Sequence, residues 1–222
     1  MNIPTSESTC WTVIRAGAAG SPADRDEMGR RYFGVVQAYL SARWRGSTLR
    51  KNLDDATQEV FIEIFRQGGV LEAAGAGRVP NFRAFLYGVI RNVARRFESQ
   101  PSGAVEPLPD IQDKEASLSQ LFERSWAESI MAEAAKLQKS RAVDGGVEAI
   151  RRVELLRLRF EENLPIREIA LRWNIDTAQL HRDYALARQE FRAALIEVVA
   201  FHHPGSTAEV EMEASGLLKS LS

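Results

Sequence analysis

The chain has 222 residues, of which 45% are hydrophobic and 27% charged, with a formal net charge of −1. That balance suits one large globular domain or two small ones, and it excludes a polycation that holds nucleic acid by net charge alone. A single cysteine, Cys10, excludes a disulfide framework and a thiolate metal cluster; His181, His202 and His203 lack ligand spacing and read as surface residues. The charge is uneven, with 14 Lys and Arg against 10 Asp and Glu in residues 1–98, so a nucleic-acid surface is expected in the first half. No apolar run reaches the length of a membrane span and the N-terminus lacks a basic-then-apolar leader, which predicts a cytoplasmic protein with no membrane partner.

In chain order, residues 9–16 predict a short amphipathic helix ended by Gly17 and Gly20. Ser21 as N-cap, Pro22 at the first helical position and Asp24 in the first turn then open a helix to about Trp44. Its apolar stripe is Met28, Tyr32, Val35, Val36, Tyr39 and Leu40, while Arg30, Arg31, Arg43 and Arg45 lie off it on a solvated face. Between Asp54 and Arg66 a third helix buries Leu53, Val60, Phe61, Ile64 and Phe65. Asp55, Glu59 and Glu63 stack on its other side at i, i+4 and i+8. Like charges so spaced cost about 0.2–0.5 kcal/mol per pair, partly offset by Arg66, so the row reads as a docking strip for a basic partner.

Gly68, Gly69, Gly75, Gly77 and Pro80 make residues 67–81 a loop. Phe82, Phe85, Leu86, Val89, Ile90, Val93 and Phe97 follow at helical spacing, with Arg83, Arg91, Asn92, Arg95 and Arg96 on the remaining face. Cations beside flat rings fit a single-stranded or melted nucleic acid. Gly88, mid-helix, costs about 1 kcal/mol relative to Ala and hints at a close backbone approach.

Pro101, Gly103, Pro107 and Pro109 mark residues 99–113 as an extended linker. Asp113 is placed to cap a helix striped by Leu118, Leu121, Phe122, Trp126, Ile130, Ala134 and Leu137. Gly145 and Gly146 separate it from a helix with Val153, Leu156, Leu158 and Phe160 among its apolar positions. Residues 164–188 read as helix, tight turn, helix: Pro165 opens the first, Asn174 takes the left-handed turn and Ile175 plugs the junction. Leu180, Tyr184, Ala187, Phe191, Leu195 and Val198 bury the second helix, and Thr177, Ala178, His181, Arg182 and Arg188 point outward, as a major-groove reading helix requires. Ser206 and Glu209 form a capping box ahead of Val210, Ala214, Leu217, Leu218 and Leu221; this last helix either folds back on the preceding domain or docks on a partner. No pocket-like carboxylate pair, Gly-rich phosphate loop or metal cluster supports an enzyme, a cofactor or a metal.

Two blocks, taken together and in order, carry a resemblance. Asp55-Ala56-Thr57-Gln58-Glu59-Val60-Phe61, followed by Phe82-Arg83-Ala84-Phe85-Leu86-Tyr87 and Asn92-Val93-Ala94, resembles region 2 of bacterial sigma factors of the extracytoplasmic-function class. The stretch from Leu164 through Glu168-Ile169-Ala170 to Arg188 is similar to region 4 of that class, and Phe122 to Ala127 with the terminal helix resembles planctomycete-like members with a short C-terminal extension.

The resemblance implies an all-α protein. Residues 8–98 would form a region 2 bundle, 99–113 a Pro-containing linker, 114–203 a region 4 domain with the helix-turn-helix, and 204–222 an extension helix. It also implies a non-enzymatic promoter-specificity subunit with RNA polymerase core and promoter DNA as partners, and an anti-sigma factor or other regulator as the class-level expectation. On this resemblance Asp55, Gln58, Glu59 and Glu63 bind core. Arg78, Asn81, Arg83, Phe85, Arg91, Asn92, Arg95 and Arg96 bind the minus-ten element, Phe85 standing where the class usually has Trp. Arg167, Thr177, Ala178, His181, Arg182 and Arg188 bind the minus-thirty-five element. Asp183 falls where the class commonly has a basic residue near the phosphates, and with Glu190 and Asp176 nearby the resemblance leaves open whether upstream-element binding is weak or unusual. The alternative is a helix-turn-helix regulator that binds duplex DNA without polymerase; a helical adaptor or enzyme module recruiting partners through the terminal helix ranks last.

Overall fold

The computed structural model describes residues 10–66, 82–99, 111–203 and 205–220, and among them it is all-helical, with no strand. The helices are α1 (Cys10–Ala18), α2 (Pro22–Arg43), a 3-10 turn (Thr48–Asn52), α3 (Leu53–Phe65), α4 (Phe82–Ser99), α5 (Ile111–Asp144), α6 (Gly146–Phe160), α7 (Ile166–Trp173), α8 (Thr177–His202) and α9 (Thr207–Ser220). The chain divides into two compact units: one runs to Ser129 and takes in Ala200–Gly205, and the other comprises Ile130–Val199 and the segment from Ser206. The division therefore falls inside α5 rather than at 99–113. Of that expected linker, Ser99 ends α4 and residues 111–113 belong to α5; the rest lies outside the described residues.

Local signals set the helix ends of the N-terminal unit. Ser21 is the N-cap of α2 with extended backbone (φ −70°, ψ 111°), and its Oγ accepts from the Asp24 amide at 3.5 Å. Gly46, at φ +78°, turns the chain after Trp44, and Ser47 caps the 3-10 turn by accepting from the Leu49 amide at 3.2 Å. Four helices then close on one core: the α2 stripe meets Ala56, Val60 and Ile64 of α3, and Phe82, Leu86, Ile90 and Val93 of α4, with Ile14 of α1 beside them. Leu118, Phe122 and Trp126 of α5 complete it. Its centre is aromatic: Tyr32 stacks on Trp126 (centroids 5.6 Å, planes 4° apart) and Phe82 lies 4.9 Å from Tyr32. Such pairs contribute about 0.5–1.5 kcal/mol beyond area burial.

Three expectations change here. Gly17 lies within α1, where an added Cβ would come 2.6 Å from Phe65 Cε1; Gly88, by contrast, faces open space. The close approach is therefore at Gly17. His202 is not a surface residue: it is 5% exposed, shares a hydrogen bond with Tyr32 Oη, and meets the Trp126 ring edge-on at 5.2 Å. Cys10 is fully buried beneath it, its Sγ donating weakly to the His202 carbonyl at 3.9 Å, and burial pushes the thiol up to about 12.

In the C-terminal unit, Leu155, Leu158, Ile166, Ile169, Ala170 and Leu180 form a core, with Leu164, Trp173, Ile175 and Tyr184 packed against it. In the second half of α5, Ile130, Ala134 and Ala142 are buried, and the buried Gln138 donates to the Ala187 carbonyl at 3.1 Å. Phe160, expected to be apolar-facing, is exposed. At α9 the capping box forms: the Ser206 amide donates to Glu209 Oε2 at 2.7 Å, and the Glu209 amide donates to Ser206 Oγ at 3.4 Å. Val210, Ala214 and Leu217 are buried, and the helix belongs to this unit.

Candidate docking and nucleic-acid surfaces

The acidic helix α3 does not present its carboxylates uniformly. Asp55 and Gln58 are exposed, and among the described residues Asp55 makes no ion pair. Glu59 instead pairs with Arg96 of α4 at 3.1 Å, and Glu63 pairs with Arg96 at 2.9 Å and with Arg66 at 3.1 Å. The like-charge cost inferred from the i, i+4, i+8 spacing is thus largely relieved within the chain. The outward edge that remains is Asp55, Gln58 and the half-exposed Ile62.

Helix α4 departs further from expectation. Phe85 is 4% exposed, lying 5.3 Å from Trp11 and 5.9 Å from Phe82, so as folded it presents no face on which a base could stack. The apolar stripe is core. On the polar side Asn92 and Arg95 are exposed, Arg83 pairs with Glu123 at 3.4 Å, and Arg91 pairs with Glu115 at 3.4 Å while lying over the Tyr87 ring at 5.4 Å. Arg96 is committed to α3 as described. Arg78 and Asn81 lie outside the described residues.

What holds this face in place is a cluster that periodicity alone did not single out. Arg43, assigned from its spacing to a solvated face, has a side chain only 10% exposed. Its Nε and Nη2 donate to the two oxygens of Glu98 at 2.7 and 2.9 Å, and its Nη1 donates to Glu115 at 2.8 Å and to Tyr39 Oη at 3.2 Å. Trp44 Nε1 donates to Glu98 at 3.0 Å. One guanidinium thus ties the ends of α2 and α4 to the start of α5. Burial alone would lower its affinity for the proton, but the Glu98 and Glu115 hydrogen bonds outweigh that and raise it. Burial raises the Tyr39 phenol to about 12, against the opposing charge of Arg43. The signal that pointed to this cluster was present but ambiguous: Arg43, Glu98 and Glu115 all lie far apart in sequence and each alone looks like surface charge.

In the C-terminal unit the turn between α7 and α8 is built as its residues predict. Pro165 caps α7 with extended backbone (φ −62°, ψ 146°), and Asn174 takes the left-handed conformation (φ 52°, ψ 49°), its amide reaching the Ala170 and Leu171 carbonyls. The Ile175 amide donates to the Ala170 carbonyl at 3.0 Å. Asp176 is the N-cap of α8, its Oδ2 accepting from the Gln179 amide at 2.9 Å.

On the outer side of that motif Arg167, Ala178, His181, Arg182 and Arg188 are exposed and Thr177 is half-buried. Gln179 Oε1 accepts from Arg182 Nη2 at 2.6 Å, and Arg188 lies over the Tyr184 ring at 5.8 Å. The three carboxylates expected to repel phosphate have other employment. Asp183 is 6% exposed and turns inward, accepting from Arg151 at 3.3 Å and from Gln179 at 2.9 Å. Glu190 holds Arg152 at 2.6 Å, and Asp176 caps the helix. The Asp183 carboxylate thus faces Arg151 and Gln179 within the chain.

Among the described residues no cluster of His, Cys, Asp or Glu is arranged to hold a metal, and no helix is long and apolar enough to cross a membrane. The chain matches no protein-family model, no curated protein and no solved structure.

Proposed function

We propose that the chain is a promoter-specificity subunit: it binds RNA polymerase core, directs it to a cognate promoter and helps to open the DNA, leaving the chemistry to the polymerase. The observation that carries this reading is the helix–left-handed Asn174–helix unit, whose outer face offers Ala178, His181, Arg182 and Arg188. The major groove admits such a helix, and its N-terminal half is the part that reaches base edges. The same chain carries the α3 edge of Asp55 and Gln58, available to a basic partner, and the exposed Asn92 and Arg95 of α4.

A duplex-binding regulator that works without polymerase is the second reading. What favours it is the pairing of Glu59 and Glu63 with Arg96, which satisfies part of both region 2 surfaces from within the chain. Mixing the purified chain with polymerase core, then measuring co-elution and run-off transcription from a promoter pool, separates the two. Co-elution with core supports the subunit. Tight duplex binding with no co-elution supports the regulator. Asp55→Lys with Gln58→Lys is the variant to compare, because among the described residues neither has an ion pair to lose, whereas reversing Glu59 would also set a cation against Arg96.

A further inference from the structure

The N-terminal half of α5 places carboxylates on cations of α4 that the proposed function needs for nucleic acid. Trp126 and Phe122 fix its position in the N-terminal unit, Phe122 meeting Tyr87 at 4.8 Å and Trp126 meeting Phe82 at 6.0 Å. From that seat Glu115 reaches Arg91 at 3.4 Å and Glu123 reaches Arg83 at 3.4 Å. Eight residues separate these glutamates, about 12 Å along a helix, and they lie on Arg91 and Arg83, eight residues apart on α4. Two carboxylates of α5 thus sit at matched spacing on two guanidiniums of α4.

We propose that the first half of α5 is an intramolecular competitor: Glu115 and Glu123 hold Arg91 and Arg83, and a nucleic-acid backbone must displace them to engage α4. This rests on the reading of α4 as a nucleic-acid surface and adds its regulation. The two contacts are unequal. Glu115 is also bonded to Arg43, and although burial tends to raise its carboxyl, Arg43, Arg91 and Arg95 outweigh that and hold it below the usual range. Glu123 is about half exposed and has Arg83 as its cation, so it is the contact that yields first. The two carboxylates are thereby graded, Glu123 yielding before Glu115.

The test is fluorescence anisotropy of a labelled single-stranded oligonucleotide of mixed sequence against the full chain at low salt. It compares the parent, Glu123→Gln, Glu115→Gln/Glu123→Gln, and a charge-matched control, Glu128→Gln/Glu161→Gln, whose carboxylates pair with Arg124 and Arg157 instead. An exposed pair opposes its competitor by a few-fold at most, so the α5 double is expected to bind about three- to tenfold tighter, Glu123→Gln about two- to threefold, and the control less than twofold. Because Glu123 touches no buried partner, Glu123→Gln keeps the result readable should the double variant lose helicity. Equal gains in the α5 double and the control reduce the effect to net charge and overturn the inference. So does a parent that binds with no gain on Glu123→Gln. Absence of binding in every variant overturns the reading of α4 itself, and the inference with it.

Discussion

Glu98→Ala is the sharpest probe of how the N-terminal unit is held together. It removes both oxygens that Arg43 engages at 2.7 and 2.9 Å, and the acceptor of the Trp44 indole at 3.0 Å. Stranding the indole N–H of a residue that is 1% exposed costs about 1–3 kcal/mol. Removing one partner of a fully buried ion pair costs about 3–5 kcal/mol, but two features lower that here. Glu98 is 26% exposed, and Arg43 keeps Glu115 at 2.8 Å and Tyr39 Oη at 3.2 Å. The net expectation is a loss of about 2–3 kcal/mol, on the order of 10 °C in the melting midpoint for a unit of this size. Urea unfolding followed by tryptophan fluorescence reads it as a lower midpoint at unchanged slope. Glu98→Gln with Arg43→Met removes the charge but leaves the indole an acceptor, and is expected to regain at least half of the loss. A Glu98→Ala variant within about 0.5 kcal/mol of the parent would refute the reasoning, since that is the range of ordinary surface changes.

Three further outcomes follow from the same geometry. Asp183→Asn is expected to lower the midpoint of the C-terminal unit, by about 1–2 kcal/mol, through Arg151 while leaving duplex affinity within twofold of the parent; a marked gain in affinity would return Asp183 to the phosphate surface. Asn174→Gly is expected to be nearly neutral and Asn174→Ala to cost about 1 kcal/mol, because only the latter places a β-carbon without local hydrogen bonding at φ 52°; equal effects in thermal melts would argue against the left-handed turn. Glu115 is held below its ordinary value of 4.5, so its contribution is present above that pH and is lost as the pH falls through its folded value. The stability gap between the parent and Glu115→Gln should therefore be constant above about pH 5.5 and shrink below pH 4.5; a gap unchanged down to pH 3 would mean the carboxylate carries no such linkage.

Helix existence was legible from the residues because it is decided locally. Ser21 with Pro22, Ser206 with Glu209, and Asn174 between two apolar stripes each satisfy backbone groups within a few positions, and each behaves as its chemistry dictates. The buried stripe of α2 likewise follows from a 3.6-residue period that needs no partner to be read. The outward face of the α7–α8 motif is a corollary of the same pattern: once Ile169, Ala170 and Leu180 turn inward, Ala178, His181 and Arg182 have nowhere else to point.

The partner of each charge, by contrast, is set by packing between helices. Arg43, Asp183 and His202 read as solvent-facing or phosphate-facing groups because a single helix shows which side of itself is polar, not what lies across from that side. The answers come from Glu98 55 residues on, from Arg151 32 residues back, and from Tyr32 170 residues away. Phe85 is the converse case: an aromatic residue is equally at home on a nucleic-acid platform and in a core, and as folded it is buried against the rings of Trp11 and Phe82. Where helices begin, end and turn their apolar sides follows from neighbouring residues, because those terms act over a few positions. The availability of α3's carboxylates and α4's arginines was decided by long-range ion pairs, whose energy depends on distances that no local pattern contains.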